Sequence, residues 1–576
     1  MKRLLPLILF LTALSAAAAE PERIHVLVVG TTDLHGWYDS HHESPNAPHY
    51  GGLPLLAGYL EILRTKHGRV IVVDSGDLFQ GTLESNFFEG EPVVKGYNYL
   101  GYVAAAVGNH EFDYGPVGPD SVARLPDQDP LGALKKNAKE AKFPFLSANL
   151  TEKATGMTPS WAKRYTILYA NGASVGIIGL STPETPNVTT AANVATLNFG
   201  DPVAATVKAA KELRAEGAEA IVVIAHMGGR CKNIDRNPED PSSCETDQEA
   251  MRFLNALPKG TIDAYFGGHT HSQMRHYING VPALQPSPYG REIAILDLSI
   301  DPVKHRVAKT EMWPLTMICA QVYEGTETCD PKKAPAGAKL VPRVIEGRVV
   351  GEKGRLSDSL KLYLEQVAVK RNQDLGIRTT DRFKRAYYRE SALGDLLTDA
   401  MRAYMKTDVA FLNSGGIRTE LPAGEIIYAN MFDVSPFDNF PAIVTMTGAQ
   451  LRQMLQVTSI GGGRGILQTS GLRYTFDESR DAGKPAAQRN RLTEVTLPDG
   501  RPLDPNALYR VAMIDFLLAG EGLEPLMKQI PAERIKVDYS RPIRELLIDA
   551  LKAMPQPLTP KVDGRITVLN PVGSGD

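Results

Sequence analysis

The chain has 576 residues, 43% of them apolar, and 63 basic against 66 acidic side chains give a net charge of -3. That length suits roughly two to four domains, each able to bury its own core. Charge is nearly balanced and no lysine–arginine block occurs, which excludes a nucleic-acid duplex as the expected partner.

The first residues, MKRLLPLILFLTALSAAAAEP, have the three parts of a secretory signal peptide: Lys2 and Arg3, the apolar stretch Leu4 to Leu14, and small residues Ala17-Ala18-Ala19 at a cleavage site. Residues 1–19 are assigned to it. The apolar run is shorter than the ~20 residues of a membrane span, and no later run reaches that length. The mature protein is therefore expected to be exported, periplasmic or secreted, with no membrane span. The four cysteines, Cys231, Cys244, Cys319 and Cys329, form two close pairs that suggest bridges 231–244 and 319–329, although three pairings are possible. A zinc site competes with this reading, but neither pair has C-x-x-C spacing.

From Ile24 to about Pro302 one theme recurs: a β-rich apolar run, a loop with glycine or aspartate, then a helix-like stretch. The runs include HVLVVG, RVIVVDSGD, YVAAAVGNH, FPFLSANL, SVGIIGLST, AIVVIAHMGG, DAYFGGHTH and EIAILDLSI. Such continuous Val/Ile content predicts strands buried on both faces of an α/β layered domain. Helical spacing occurs over 54–66 and 202–216. A first domain is expected over 20–310, a linker and hinge helix over 311–376 (helical from Leu356 to Asn372), a second α/β domain over 377–569, and a disordered tail over 570–576. The second domain includes the helical ESALGDLLTDAMRAYM and the strand-like RLTEVTLPDG, closed by a Pro-Asp-Gly turn.

Seven candidate metal ligands fall where apolar runs end: Asp33 and His35 in TTDLHG, Asp77 in DSGD, Asn109 in GNHEFD, His226 in IAHMGG, and His269 and His271 in GGHTHS. Ligands of α/β folds gather in the crevice at the carboxyl ends of strands. Two cations held side by side need a bridging carboxylate and mixed nitrogen and oxygen donors. Asp77 suits the bridge, since its neighbouring glycine admits close backbone approach, while Asp74 suits capping of the strand end. Four imidazoles favour zinc, manganese or iron over magnesium or calcium. Taken singly, each residue is as well explained by a hydrogen-bonded loop; the ordered set argues for a two-metal hydrolase of phosphate esters.

The pattern resembles the calcineurin-like metallophosphoesterases, and specifically the exported 5′-nucleotidase family, which includes UDP-sugar hydrolases and 2′,3′-cyclic-nucleotide phosphodiesterases. The resemblance implies a four-layer α/β-β/α metallophosphoesterase domain followed by a smaller substrate-binding domain. It implies that Asp33, His35, Asp77 and His271 hold one divalent metal ion, and Asp77, Asn109, His226 and His269 the other. His110 and Asp113 would form a catalytic dyad that stabilises charge on the departing oxygen, with a metal-held hydroxide as nucleophile. Glu111 is read as structural. Some family members carry glutamine at the position of His271, so this site is richer in nitrogen.

In the second domain NSGGIR matches the family's signature, and Asn413 and Arg418 are expected on one side of its turn, the guanidinium gripping phosphate or ribose oxygens. Phe437 and Phe516 align with two aromatics that stack on the nucleobase. Two positions depart from the family. Tyr387 stands where many members have arginine, leaving Arg389 as the nearest cation, and Glu521 in AGEGL stands for the usual ribose-binding aspartate. The leading expectation is an exported nucleotide phosphohydrolase, monomer or homodimer, acting on a small nucleotide. The runners-up are a UDP-sugar hydrolase or 2′,3′-cyclic-nucleotide phosphodiesterase, and, from another class, a catalytically silent nucleotide-binding protein. Asn149 and Asn187 head N-x-T motifs that would accept glycans only in a suitable host.

Overall fold

Alternate residues of the strand Ile24–Thr31 enter two different cores, which is why its sequence is apolar without interruption. Val26 and Val28 face a second sheet, while Leu27 and Val29 face helices. The computed structural model describes residues 22–41, 48–234, 236–458, 465–484 and 488–571, so the signal-peptide assignment and nearly all of the expected tail lie outside the described residues. Ile24–Thr31 pairs parallel with Ile71–Asp74 and antiparallel with Glu292–Asp301 inside an eight-stranded sheet. The opposing six-stranded sheet is built around Ala220–His226, flanked in parallel by Ala173–Ser181 and Ala264–Gly267.

Helices cover both outer faces. Leu53–His67 and Glu91–Leu100 pack on the first sheet, and Pro202–Ala215 and Glu249–Ala256 on the second, which gives four layers. The start of Pro202–Ala215 is fixed locally: Asp201 accepts from the Val203 amide at 2.8 Å, and proline opens the first turn. In both sheets the parallel strands end on the same side, and their last residues or the loops just beyond carry the candidate ligands.

The carboxyl-terminal half has its own core, around a five-stranded sheet in which Val409–Asn413 pairs antiparallel with Leu467–Ser470 and parallel with Leu508–Ile514. The helix Ala392–Met405 packs there, its first turn capped by Ser391, whose hydroxyl accepts from the Gly394 amide at 3.0 Å. Between the halves runs the helix Gly354–Arg371. Leu356, Leu360 and Tyr363 seat it in the amino-terminal core, and Arg371 at its far end pairs with Glu84.

Within the expected linker, the stretch ahead of its helix is instead folded. Arg306–Met312 is an edge strand of the larger sheet, Gln321–Tyr323 pairs with Leu340–Pro342, and Val344–Ile345 pairs with Arg348–Val349. Both expected disulfides are present, and Cys319 and Cys329 are fully buried, with the Tyr59 hydroxyl donating to the Cys319 carbonyl at 2.8 Å. Proline and lysine in this stretch concealed strands too short to show a period. The run FPFLSANL is likewise shorter in the fold than expected: it yields the two-residue strand Phe145–Leu146, and Leu150 opens a separate strand.

One buried carboxyl sets a pH dependence for this half. Asp395, 3% exposed, faces Glu390, Asp563 and Arg565. Burial pushes its pKa up to about 8 against the pull of Arg565, and Glu390 adds to the rise. An unfolded aspartate ionises near 3.8, so the folded chain keeps a proton that the unfolded chain releases. Stability present below about pH 4 is lost as pH rises toward about 8. Asp395→Asn should flatten that slope and raise the melting temperature above wild type at about pH 9; an unchanged slope in thermal melts would contradict the assignment.

Candidate metal centre and substrate cleft

Five of the seven candidate ligands, Asp33, His35, Asp77, His269 and His271, have positive φ, between 49° and 76°. None is glycine, and such backbone costs on the order of 1 kcal/mol or more per residue unless the surroundings enforce it. Backbone hydrogen bonds do enforce it: the Asp33 amide donates to the Gly76 carbonyl and the His35 amide to the Asp77 carbonyl, both at 2.9 Å. Glycine is needed at two points of contact. A side chain on Gly108 would meet Asp77 Oδ1 at 2.2 Å, and one on Gly268 would meet Thr32 Oγ1 at 2.1 Å.

The side chains gather into two groups, Asp33 with His35 and His271, and Asp77 with His226 and His269, the donor atoms of each group lying within 4.8 Å of one another. Asp77 Oδ2 lies 3.0 Å from His226 Nε2 and 3.7 Å from His35 Nε2, between the groups. Each of these imidazoles uses its other nitrogen on a backbone carbonyl, His35 Nδ1 on Gln80 at 2.7 Å and His226 Nδ1 on Ser75 at 2.9 Å. That contact fixes the tautomer and leaves Nε2 aimed inward as an acceptor. Asn109 donates to the Val188 carbonyl at 2.9 Å, which turns its Oδ1 toward His226 Nε2 at 3.1 Å.

Such a set fits cations. His35 Nε2 and His271 Nε2 stand 2.9 Å apart, an arrangement of two lone pairs that repels unless a proton or a metal ion lies between them. Burial raises the Asp33 and Asp77 carboxyls, but neighbouring imidazoles, His271 for Asp33 and His226 for Asp77, pull both below the usual range. Burial and His271 together hold His35 neutral. Burial likewise holds His269 neutral. At His226 burial is outweighed by Asp77, which raises the imidazole to about 10, so a divalent ion binding there would displace the His226 proton. The buried anions and the neutral His35 and His269 already have the donor states such an ion requires.

His110 and Asp113 are placed as a pair, with Nδ1 and Oδ2 2.5 Å apart and Thr189 donating to the other carboxylate oxygen at 2.8 Å. Burial lowers the basicity of His110, but Asp113 and then Asp77 more than restore it, so the imidazolium is favoured. Glu111 is structural. Its carboxyl accepts from the amides of Gly108, Asp77 and Leu78 at 2.6, 2.9 and 2.6 Å.

The carboxyl-terminal half reaches this centre. Phe437 stacks on His110 with centroids 5.4 Å apart, the Arg418 guanidinium lies 5.6 Å from the Phe437 ring, and its charge is felt by His35, His110 and His271. Asn413 donates to Glu521 at 3.3 Å, so the signature turn and the altered glycine loop meet. Phe516 is half-buried against the core of its own half, with Gly520 close over its ring. Arg389 does not join this group. It is exposed and lines a separate surface cleft with Arg382, Arg385 and Val562, because the turn that brings Tyr387 inward carries Arg389 out. The cation facing Tyr387 from the other half is Arg230, which sequence reasoning missed.

Two further contributors lacked a legible signal. Tyr289, in the turn PSPYGR, puts its hydroxyl 3.2 Å from His271 Nδ1. Thr189 belongs to a motif read as a glycan acceptor, yet it is 3% exposed and serves Asp113. Asn149 is also buried, its amide donating to the Ser181 and Gly200 carbonyls. The Asn149 motif is therefore not an open acceptor.

Residues 26–273 match the calcineurin-like phosphoesterase model and residues 369–529 the 5′-nucleotidase C-terminal domain model. The chain belongs to the 5′-nucleotidase family of metallophosphoesterases. The family uses divalent metals, and its members are phosphoric ester hydrolases. The chain is 25% identical to the endonuclease YhcR of Bacillus subtilis over 88% of its own length but spans only 38% of that protein. It is 25% identical to UshA of Escherichia coli over 90% of each. The crystal structure of a 5′-nucleotidase precursor from Thermus thermophilus superposes with a TM-score of 0.75 at 25% identity, covering 95% of this chain and all of that one. No helix among the described residues is long and apolar enough to cross a membrane.

Removing the acceptor for three buried amides should be costly. Glu111→Ala is expected to lower unfolding free energy by on the order of 3 kcal/mol, measured by denaturant titration. A midpoint equal to wild type would show that the loop stands without it.

Proposed function

We propose that the chain is an exported two-metal phosphohydrolase that removes phosphate from nucleotides. The observation that carries this reading is the position of Asp77 Oδ2 between two imidazole-bearing groups, with Arg418 and Phe437 brought over them from the other half of the chain. Asp33, His35, Asp77 and His271 would hold one ion, and Asp77, Asn109, His226 and His269 the second. Zinc, manganese or iron suits this donor set. When bound, the two ions supply a nucleophilic water near neutral pH and neutralise charge on the phosphate oxygens.

The chain's own residues do the rest. His110, kept cationic by Asp113, stands beside the ligand cluster and stabilises negative charge as the ester oxygen departs. Arg418 holds substrate oxygens in a forked contact. Phe437 offers an apolar face to the base, and Asn413 with Glu521 offers an amide and a carboxylate for ribose hydroxyls. Glu521 in place of the shorter aspartate, and Tyr387 in place of a cation, keep a UDP-sugar or a 2′,3′-cyclic nucleotide open as the alternative substrate.

A phosphate-release assay with AMP, UDP-glucose and 2′,3′-cyclic AMP, with manganese or zinc added, tests the reading; release that disappears with a chelator and returns with metal is expected. No release from any of the three would overturn it. His110→Ala should lower kcat by about 10²- to 10⁴-fold while metal content by mass spectrometry stays at wild-type level. Asp77→Ala should instead lose metal. Full turnover in His110→Ala would remove that residue from the mechanism.

A further inference from the structure

Arg230 is the first residue after the glycine pair that follows His226, and it begins the loop closed by the Cys231–Cys244 disulfide. The base of that loop is tied a second time, since the Glu245 amide donates to the Arg230 carbonyl at 2.9 Å. The backbone of Arg230 is thus held on the amino-terminal half. Its side chain faces the other half, where it acts on the hydroxyls of Tyr387 and Tyr388. Burial raises the Tyr388 phenol, and Arg230 is the largest influence pulling it back.

Tyr387 is part of the recognition turn. Its carbonyl accepts from the Ser414 hydroxyl at 2.7 Å, and Gly415 leaves room for its ring, since a side chain there would stand 3.1 Å from the Tyr387 hydroxyl. The same hydroxyl feels Glu521, Arg418 and Arg230. Two guanidinium groups therefore flank Tyr387, Arg418 toward the metal centre and Arg230 from the opposite half. Arg230 is half-buried and shares a side-chain hydrogen bond with Tyr388, while its Nε is fully buried without a hydrogen-bond acceptor. A buried guanidinium donor without an acceptor is unfavourable, and the planar fork that carries it is shaped for two oxygens of one phosphoryl group.

We infer that Arg230 is a substrate-contacting cation supplied across the cleft, held in place by the Cys231–Cys244 loop, which grips a second phosphoryl group beyond the one that is hydrolysed. This rests on the nucleotide phosphohydrolase reading above. It assigns the site a preference for nucleoside diphosphate chemistry over monophosphates, and it makes recognition complete only when the two halves face each other.

The test compares ADP, AMP and p-nitrophenyl phosphate as substrates of wild type, Arg230→Gln and Arg230→Lys, with manganese present. Arg230→Gln should raise KM for ADP roughly tenfold or more, change KM for AMP far less, and leave kcat and the p-nitrophenyl phosphate reaction within about twofold of wild type. Arg230→Lys, which keeps the charge but not the fork, should recover part of the loss. Cys231→Ser with Cys244→Ser should reproduce the ADP defect, because the loop no longer holds the guanidinium. Equal KM values for ADP in wild type and Arg230→Gln would overturn the inference, as would an equal loss on all three substrates, which marks a structural role. Calorimetric ADP binding separates the two claims. A wild type that binds ADP without hydrolysing a nucleotide, with binding weakened in Arg230→Gln, keeps the inference and rejects the nucleotidase reading. Active wild type with an unaffected Arg230→Gln does the reverse, and a wild type that neither binds nor hydrolyses nucleotides sinks both.

Discussion

The structure depends on keeping a carboxylate charged inside a protein. Asp77 is 1% exposed, in the loop just beyond a strand buried on both faces, and desolvation alone would neutralise it. Imidazoles on two sides and the His110 amide at 2.9 Å hold the charge in place. Around it the backbone is bent into left-handed conformations that only a dense network of amide hydrogen bonds and the clamp of Glu111 can maintain. Glu111 is itself pushed up to about 8 by burial and by the nearby Asp77 charge, so the clamp and the ligand are electrostatically linked. The strain, the burial and the crowded lone pairs have one common resolution, which is positive charge at the centre.

That constraint explains why so much of the site was legible in the sequence. A strand covered on both faces must be continuously apolar, so HVLVVG and AIVVIAH announced themselves, and the polar residue that ends each run had to be doing something other than facing water. Asp33, Asp77, Asn109, His226, His269 and His271 all stand at such breaks. Glycines mark the places where loops touch, and Gly108 and Gly268 lie against Asp77 and Asp33. The grouping of these ligands follows from the topology, because parallel strands end on one side of their sheets.

What remained hidden depended on long-range approach or on elements too short to carry a period. Nothing around Tyr289 or Thr189 distinguishes them from turn residues; they matter because distant loops close over them. The buried bridge Cys319–Cys329 and its hairpins lie in a stretch whose proline and lysine content reads as linker, yet Tyr59 and Tyr50 from the first helix and its approach loop cover it. Arg389 stands outside the cleft for a simpler reason. Two residues along an irregular turn reverse direction, so adjacency to Tyr387 in sequence places the guanidinium on the outer surface. Arg230, distant in sequence, occupies the inner one.

The division of labour between the halves follows from the same electrostatics. A site that permanently buried Arg418 beside four imidazoles would penalise protonation of those imidazoles and would need an anion to balance it. Placing Arg418 and Phe437 on a separate core brings the charge to the metal ligands through contacts between the halves, not through the packing of the metal-bearing core. The helix Gly354–Arg371 is anchored in one core through Leu356, Leu360 and Tyr363, whereas Arg371 near the other core is tied by its pair with Glu84. Facing that pair is Asp433, whose carboxyl is raised to about 7 by burial and by Glu84. Contacts of this kind are polar, unlike the apolar seam at the helix's first turns. The apolar seating of the helix therefore belongs to the metal-bearing half, and its last turn is held there by a polar pair beside the recognition half.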